Sequence, residues 1–286
     1  MDKEIASPVV TVVEESVDGG TGAATRAVAR LSVRMTVADG EERVVSVVRK
    51  RLEPMRSGRH AALAKDRRHW AYWRREAEAY ASGILPEGPH LRAPKCYGVV
   101  GDDVYLEHVA GGPAAVDQAA ADLSTWQVDD QSLDRPWIGR DQLGRRLEVS
   151  ALDWTMVDAD QRAVELWSHR ANYLDVLSKL PTLLAHGDFS LGNLRTDGSG
   201  TVALDWATLG WEPLGFDLAH LALSSGRDPT GPYLEGSNRF DPEEVVAGFR
   251  AATAIIGTSR VHWMISAGVE VPPWYVDFLW DHRPTC

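Results

Sequence analysis

The sequence predicts an α+β protein in two parts: a five-stranded antiparallel sheet with one helix, and then a mostly helical part that contains one β-hairpin. Three observations support this prediction. Valine-rich runs separated by turn residues fill the first hundred residues. Runs with helical spacing follow residue 110, and two short apolar runs flank an Asp/Gly/Ser cluster at 196–200. A length of 286 residues is enough for two lobes of this kind.

The composition is that of an ordinary soluble globular protein, with 44% hydrophobic and 25% charged residues. A formal net charge of −11 argues against nucleic acid or an anionic membrane as partners. The chain has two cysteines, no signal-peptide pattern at its N-terminus, and no apolar run near the roughly 18 residues of a membrane span. We therefore expect a cytoplasmic protein without a disulfide framework, either a monomer or a homodimer.

The first part begins with a strand, a turn of small residues and a second strand, predicted over 8–17 and 27–37. Gly20 and Gly22 lie in the turn, where small residues let backbone N–H groups approach a phosphate. Any hairpin turn has a similar composition, so the pattern alone also fits an ordinary connection.

A third strand, predicted over 44–52, places Val48 and Lys50 on the same face, while Arg49 and Arg51 share the other. An ammonium group on a mostly apolar face needs an anionic partner unless its side chain reaches water at the strand end. Residues 43–75 are strongly basic as a whole, which fits an anionic ligand and a solvated helix face equally well.

The stretch 61–82 is rich in alanine and free of proline, and it predicts a helix with an apolar stripe. Glu76 borders that stripe, whereas Glu78 points to solvent. Glu76 is thus predicted at the edge of the buried face, with a surface position among the many arginines as the alternative.

Two further strands, predicted over 94–100 and 104–109, complete the sheet. The boundary is placed after residue 109, giving lobes 1–109 and 110–286. The second lobe is expected to contain several helices, predicted over 114–123, 140–152, 159–180 and 217–223.

The predicted hairpin carries the candidate chemistry. If it is symmetric about Ser199, Asn193 stands opposite Asp205, with their Cβ atoms about 5 Å apart. Two oxygen-bearing side chains at one point suit a hard cation such as Mg²⁺, and Asp188 lies on the preceding loop. Asp, Asn and Gly are also common in plain loops, which is the alternative interpretation.

The motif His186-Gly187-Asp188, with Asn193 and then Leu204-Asp205-Trp206, is similar to the signature of the aminoglycoside phosphotransferase and choline kinase families, which share the protein-kinase-like fold. The resemblance implies that Asp188 orients or deprotonates a substrate hydroxyl, and that Asn193 and Asp205 hold Mg²⁺. His186 is also placed at the catalytic site, as an organiser of the loop more than a proton carrier.

The resemblance also implies a site for ATP or GTP. Lys50, held by Glu76, would position the phosphates. The other residues assigned to the nucleotide are the phosphate-covering Gly20 and Gly22, the base-pocket residues Val48 and Leu106, and the main chain of Glu107 and Val109. Asp217 fits a position that braces the catalytic loop, and a helix N-cap explains it equally well.

Only residues 206–216 separate Asp205 from the next predicted helix, and no Ala-Pro-Glu motif follows, which favours a small-molecule acceptor over a protein. Clustered carboxylates would suit a polycationic aminoglycoside; the candidates are Asp129, Asp130, Asp134, Glu270, Asp277 and Asp281. Nine of the eleven tryptophans lie after residue 110, which favours a flatter acceptor such as a nucleoside or macrolide. The aromatic tail 271–280 is predicted to close the acceptor pocket.

The sequence therefore favours a kinase that phosphorylates a hydroxyl of an antibiotic and so confers resistance. One alternative is a metabolic kinase acting on choline, an amino alcohol or a sugar. The other is a pseudokinase that binds nucleotide without turnover.

Overall fold

The computed structural model describes residues 9–17, 24–36, 41–58, 60–128, 130–148, 150 and 152–284. Gly20 and Gly22 of the candidate phosphate-covering turn, and Asp129 of the acidic set, lie outside the described residues.

The secondary structure alternates between short strands and helices after an initial run of long strands. The strands are β1 (Val9–Ser16), β2 (Thr25–Thr36), β3 (Glu42–Leu52), β4 (Leu91–Arg92), β5 (Cys96–Val100), β6 (Asp103–Glu107), β7 (Gly139–Arg140), β8 (Thr182–Ala185), β9 (Leu194–Thr196), β10 (Thr201–Ala203) and β11 (Gly210–Pro213). The helices are α1 (Arg75–Ser82), α2 (Val116–Trp126), α3 (Gln142–Glu148), α4 (Gln161–Ser168), α5 (Arg170–Ser178), α6 (Phe216–Ser225), α7 (Thr230–Gly236), α8 (Pro242–Ser266) and α9 (Pro273–Asp281).

The predicted five-stranded antiparallel sheet is confirmed, with strand order β1-β2-β3-β6-β5. Its two faces bury different side chains because consecutive residues of a strand point in opposite directions. Leu52, Val104 and Leu106 pack on one face, and Leu31 and Val47 pack on the other. This alternation puts Lys50 on the same face as Leu52, buried beneath the sheet.

The prediction of a helix over 61–82 is wrong for residues 61–74. Only α1 is an α-helix, and residues 60–74 form turns with a short 3₁₀ segment at Ala61–Leu63. The reason is the fully buried guanidinium of Arg75, which donates to the carbonyls of His69 (2.7 Å) and Trp70. In a continuous helix those carbonyls would accept from backbone amides four residues later.

Arg75 also joins the sheet part to the helical part. Its guanidinium donates to the carbonyl of Trp137 at 2.8 Å and to that of Ala207 at 3.3 Å. Burial lowers the pKa of Arg75 to about 10, so the side chain stays charged at neutral pH. One buried arginine therefore fixes α1 against the segment that follows Asp205.

The helical part is built around α8, whose buried residues pack against α4, α5 and α6. The helix predicted over 159–180 is divided into α4 and α5 at His169, which has near-bridge backbone angles of φ −90° and ψ 5°. The aromatic tail forms α9, and Tyr275, Phe278 and Leu279 are buried in the core. The tail is therefore part of the hydrophobic core.

The predicted hairpin exists, but its register differs by one residue from the symmetric arrangement about Ser199. Thr196 pairs with Thr201, so Leu204 stands opposite Asn193 and donates its N–H to the Asn193 carbonyl at 2.8 Å. The turn has four residues because Asp197 Oδ1 accepts from both the N–H and the hydroxyl of Ser199, at 2.9 and 2.7 Å. Asp205 thus lies one position beyond the predicted pairing.

Two small sheets hold the loop between β8 and β9 in place. The strand β10 pairs with β9 and β4, and β11 pairs with β8 and β7. The loop is therefore attached to paired strands at both of its ends. In the part of the chain that the structure describes, no helix combines the length and apolar character required to cross a bilayer.

Candidate active site

The ion pair expected between Lys50 and Glu76 is present. Lys50 Nζ lies 2.8 Å from Glu76 Oε1, 2.6 Å from Glu76 Oε2 and 2.9 Å from Asp205 Oδ1. Glu76 is fully buried, whereas the Asp205 side chain is 40% exposed. One ammonium group therefore connects α1, β3 and the segment after β10.

Lys50 stays protonated at this position. Burial by itself would lower the pKa of the ammonium, but the charges and hydrogen bonds of Glu76 and Asp205 outweigh it and raise the pKa above its ordinary value. The side chain is a permanent cation that is only 8% exposed and faces the partly open Asp205.

His186 organises the loop that follows β8. Its ring is fully buried, with Nε2 2.8 Å from the Leu204 carbonyl and Nδ1 3.2 Å from the Asp188 N–H. Nε2 therefore carries the proton and Nδ1 accepts. Both ring nitrogens are used by the backbone, which agrees with an organising role and leaves no ring atom for the transfer of a substrate proton.

Gly187 is required by the geometry of the same loop. Its φ of +86° lies in the left-handed region, and an added Cβ would stand 2.2 Å from the carbonyl oxygen of Thr208. The close approach of these two backbone segments sets the position of Asp188.

Asp217 braces the loop from α6. Its carboxylate accepts from the N–H groups of His186 at 2.8 Å and Gly187 at 2.9 Å, and Gln127 Nε2 lies 3.3 Å away. Gly215 is the N-cap of α6. Of the two sequence-based interpretations of Asp217, the brace is therefore the one found, because its carboxylate caps the loop and not its own helix.

We expect Asp217→Ala to lower the free energy of unfolding by about 3 kcal/mol, since two buried N–H groups lose their acceptor. Urea unfolding measures this loss. Asp228→Ala is the matched control, because Asp228 also accepts from a backbone N–H (Thr230, 2.8 Å) but its side chain is 44% exposed. That control should lose about 1 kcal/mol. Equal losses in the two variants would contradict the brace.

Asp188 and Asn193 are held together on the loop. Asn193 Nδ2 donates to the Asp188 carbonyl at 3.0 Å and to Asp188 Oδ2 at 3.1 Å. The side-chain hydrogen bonds of Asn193 to other described residues all use Nδ2, which leaves Oδ1 for another ligand. Asp205 likewise uses Oδ1 for Lys50. The remaining oxygens are carboxylate and amide oxygens, the donor types that Mg²⁺ prefers.

Sequence reasoning missed two residues near Asp188: His220 of α6, which contacts Asp188, and Arg260 of α8, which contacts His220. His220 Nδ1 lies 3.0 Å from Asp188 Oδ1, and Arg260 Nη2 lies 2.9 Å from the same Nδ1. Burial lowers the pKa of His220 to about 4, so the ring is neutral at pH 7. Burial would raise the pKa of Asp188, but its hydrogen bond to His220 and the nearby positive charges lower it below its ordinary range. Asp188 is thus a carboxylate with a 42% exposed side chain.

A signal for His220 exists in the sequence. It lies three residues after Asp217, so both side chains share one face of α6 and reach the same loop. No such local signal identifies Arg260, which lies 40 residues further along the chain.

The residues assigned to the nucleotide base lie together on the sheet. Val48 pairs with Leu106, and both belong to the cluster around Leu52 and Val104. The Glu107 N–H is already used by the Lys95 carbonyl at 2.8 Å, so only its carbonyl remains for a base. For the N–H of Val109, no backbone acceptor is found among the described residues.

The acidic candidates for the acceptor are largely paired with neighbouring groups. Asp134 contacts Arg140 at 2.7 Å and Asp277 contacts Arg162 at 2.8 Å. Asp130 accepts from the Ser132 N–H at 2.9 Å. Glu270 and Asp281 are exposed. At least two of these carboxylates are therefore already paired with arginines.

The aromatic candidates near the hairpin are core residues. Trp206 is fully buried and packs edge-on against Trp126, and Trp211 is 1% exposed. Trp211 donates from Nε1 to Asp134 at 3.0 Å. Trp206 and Trp211 are therefore part of the hydrophobic core.

Solved structures of small-molecule kinases share this fold. The GDP complex of an aminoglycoside 2'-phosphotransferase superposes with a TM-score of 0.57 at 13% identity, covering 96% of this chain and 93% of that one. A macrolide 2'-phosphotransferase from Brachybacterium faecium gives 0.53 at 15% identity, with 94% and 91% covered. A choline kinase from Cryptosporidium parvum gives 0.54 at 10% identity, with 95% and 88% covered. The chain thus has the two-part α+β fold of these kinases.

Residues 98–252, more than half of the chain, match the sequence model of the phosphotransferase enzyme family, APH. The chain belongs to this family, as its motif from His186 to Asp205 predicts. Among curated proteins, no sequence matches it.

Proposed function

We propose that the protein transfers the γ-phosphoryl group of ATP or GTP to a hydroxyl of a small molecule. The observation that supports this best is the 2.9 Å contact between Lys50 and Asp205, two residues 155 positions apart. It brings a buried cation and a partly exposed carboxylate together next to the hairpin that carries Asn193. Such an arrangement suits phosphoryl transfer, where catalysis rests on positioning and charge stabilisation.

Asp188 is proposed to orient the substrate hydroxyl or to accept its proton. It is ionised at neutral pH, and each of its carboxylate oxygens accepts from one protein donor, which leaves lone pairs for a hydroxyl. His186 and Asp217 hold its loop. The proposed catalytic residues are therefore Asp188 and Lys50, with His186 in support.

The proposed donor site lies on residues 1–109 and the acceptor site on 110–286. Lys50, fixed by Glu76, contacts the phosphates, and Gly20 and Gly22 cover them. Val48 and Leu106 line the pocket for the nucleotide base, and the Glu107 carbonyl and the Val109 N–H bind the edge of the base.

Asn193 Oδ1 and the free oxygen of Asp205 are the proposed ligands of Mg²⁺. When bound, the ion would neutralise charge on the phosphate oxygens. The Lys50 ammonium keeps Asp205 oriented toward this point, because it occupies the other oxygen of that carboxylate.

For the acceptor we propose an antibiotic of the aminoglycoside, nucleoside or macrolide type, whose phosphorylation would confer resistance. Phosphotransferases named for aminoglycosides and macrolides share the fold, which supports this choice. A metabolic acceptor is the second candidate, favoured by the equal likeness to a choline kinase. We place the enzyme in the cytoplasm, where both nucleotides occur, as a monomer or homodimer.

The test is phosphate transfer from Mg–ATP and Mg–GTP to a panel of aminoglycoside, macrolide and nucleoside antibiotics together with choline. Mass spectrometry detects a gain of roughly 80 Da, one phosphoryl group. A gain on one class identifies the acceptor class. Nucleotide binding without a gain on any compound or on simple sugars would favour the pseudokinase.

A further inference from the structure

Arg146 and Arg260 carry positive charge near Asp188, and neither forms an ion pair with a carboxylate among the described residues. Arg260 Nη2 lies 2.9 Å from Nδ1 of the neutral His220 ring, and its guanidinium also interacts with the Tyr275 hydroxyl. The guanidinium of Arg146 stands 4.2 Å above the ring of Trp70, and its Nε is buried without a hydrogen-bond partner in the described part of the chain. Both side chains are only partly exposed, and a guanidinium group withdrawn from water is normally paired, so both arginines have unused binding capacity.

The carboxyl groups around the pair do not neutralise it. Asp188, Arg260 and Glu212 are the charged groups that act on Arg146. Glu212 is 1% exposed, and burial raises its pKa to about 8, so it is mostly protonated at pH 7. Among the groups that act on Arg146, Asp188 is then the remaining anion beside two cations, in a chain whose total charge is −11.

His220 cannot bind both of its neighbours at once. Its neutral ring has one proton, so Nδ1 either donates to Asp188 or accepts from Arg260. The Nδ1 proton is assigned to the bond with the ionised Asp188, because an unprotonated Nδ1 would place its lone pair 3.0 Å from that carboxylate. Arg260 is then free to bind another acceptor group.

The two arginines and Lys50 of the proposed donor site belong to different parts of the fold. Arg146 lies on α3 and Arg260 on α8, both in the helical part. Lys50 contacts Asp205 from the sheet. Tyr275 of α9 adjoins Arg260: burial raises the pKa of its hydroxyl and the guanidinium opposes this. The tail helix thus supports Arg260 from the core.

We propose that Arg146 and Arg260 form an anion site that binds a carboxylate or phosphate group of the acceptor next to Asp188. This rests on the proposed function and narrows it: the acceptor is a hydroxyl compound with an acidic group. Guanidinium groups bind such groups through two parallel hydrogen bonds. A polycationic aminoglycoside would place like charges against both arginines.

The experiment compares matched acceptors that differ only in the acidic group: ribose 5-phosphate against ribose, and glycerate against glycerol. The ratio of the two kcat/KM values is measured in the wild type, Arg146→Met and Arg260→Met. We expect a ratio of roughly 10 to 100 in favour of the charged member, falling toward unity in both variants. Arg250→Met, on the same helix α8, is the matched control and should keep the wild-type ratio.

Arg260→Lys covers the case in which Arg260→Met does not fold; it keeps the charge, loses the planar fork and should lower the ratio in part. An equal fall in kcat for both members of a pair would overturn the proposal, because the arginines would then act on the transferred phosphoryl group or on Asp188. A wild type that prefers the uncharged member would overturn it as well.

A binding measurement separates this proposal from the proposed function. With Mg²⁺ and a nucleoside diphosphate filling the donor site, the four probes are titrated and tryptophan fluorescence is recorded, since Trp70 lies under Arg146. Preferential binding of the charged probes that is lost in the variants supports the anion site even if no acceptor is phosphorylated. Equal binding within the pairs, or no binding of a charged probe, overturns it.

Discussion

Replacement of Asp188 by asparagine is expected to lower kcat by about 10²- to 10⁴-fold, because the substrate hydroxyl loses the carboxylate that orients it and takes its proton. The affinity for Mg–nucleotide should stay unchanged, since the donor contacts are assigned to Lys50, Asn193 and Asp205. Asparagine keeps the size of the side chain and one oxygen, so the loop retains an acceptor for His220 or Asn193. The loss is therefore expected in the chemical step.

Single-turnover kinetics measures the chemical step, and titration with a fluorescent nucleotide analogue measures donor binding. Asp197→Asn is a control, because Asp197 stabilises the hairpin turn through Ser199 and Arg92. It should keep kcat within a small factor. Transfer at the wild-type rate by Asp188→Asn would contradict the assigned role. A wild type that binds nucleotide but transfers nothing would place the protein with the pseudokinases.

Local patterns in the sequence predict the parts of the site that depend on strand and helix periodicity. The alternation of β3 puts Lys50 on the buried face, and the spacing on α1 puts Glu76 at its border. Each position is set within one element, and the resemblance to the kinase-like families implies the pairing between them, which the structure shows at 2.8 Å. The prediction of one helix over 61–82 was wrong because it ignored contacts between distant segments. The buried Arg75 binds backbone carbonyls that a continuous helix would use, and its other partners, Trp137 and Ala207, are distant in sequence.

The groups behind Asp188 depend on long-range packing. Arg260 reaches His220 only because α8 packs on α6, and nothing in the spacing of either helix fixes that contact. The predicted register of the hairpin was wrong because of one local turn. One Asx turn at Asp197 adds a residue to the loop and moves the pairing by one position.

Lys50→Met is expected to lower both activity and stability, and the two effects can be separated. The fully buried Glu76 would lose the cation with which it is paired, and an uncompensated buried charge costs about 3–5 kcal/mol. The double variant Lys50→Met/Glu76→Leu replaces the pair by apolar side chains of similar volume. It should regain most of the lost free energy of unfolding. Asp205 adds little to the loss, because its side chain is 40% exposed and can be solvated by water.

Activity should not return with stability. The phosphates lose the charge that Lys50 supplies in the single and the double variant alike, so kcat should be about 10²- to 10³-fold below the wild type in both. Urea unfolding and single-turnover kinetics on the same preparations give the two readouts. Lys179→Met is the matched control, since its pair with Asp175 is 70% and 63% exposed and should contribute less than about 0.5 kcal/mol.

Equal stability of the single and double variants would show that Glu76 is not an uncompensated anion when Lys50 is absent. Recovery of kcat in the double variant would show that Lys50 does not act on the phosphates. If stability returns and activity does not, the ion pair adds nothing to stability that an apolar pair could not supply. The function of the Lys50–Glu76 pair would then be to hold a permanently charged ammonium group 2.9 Å from Asp205.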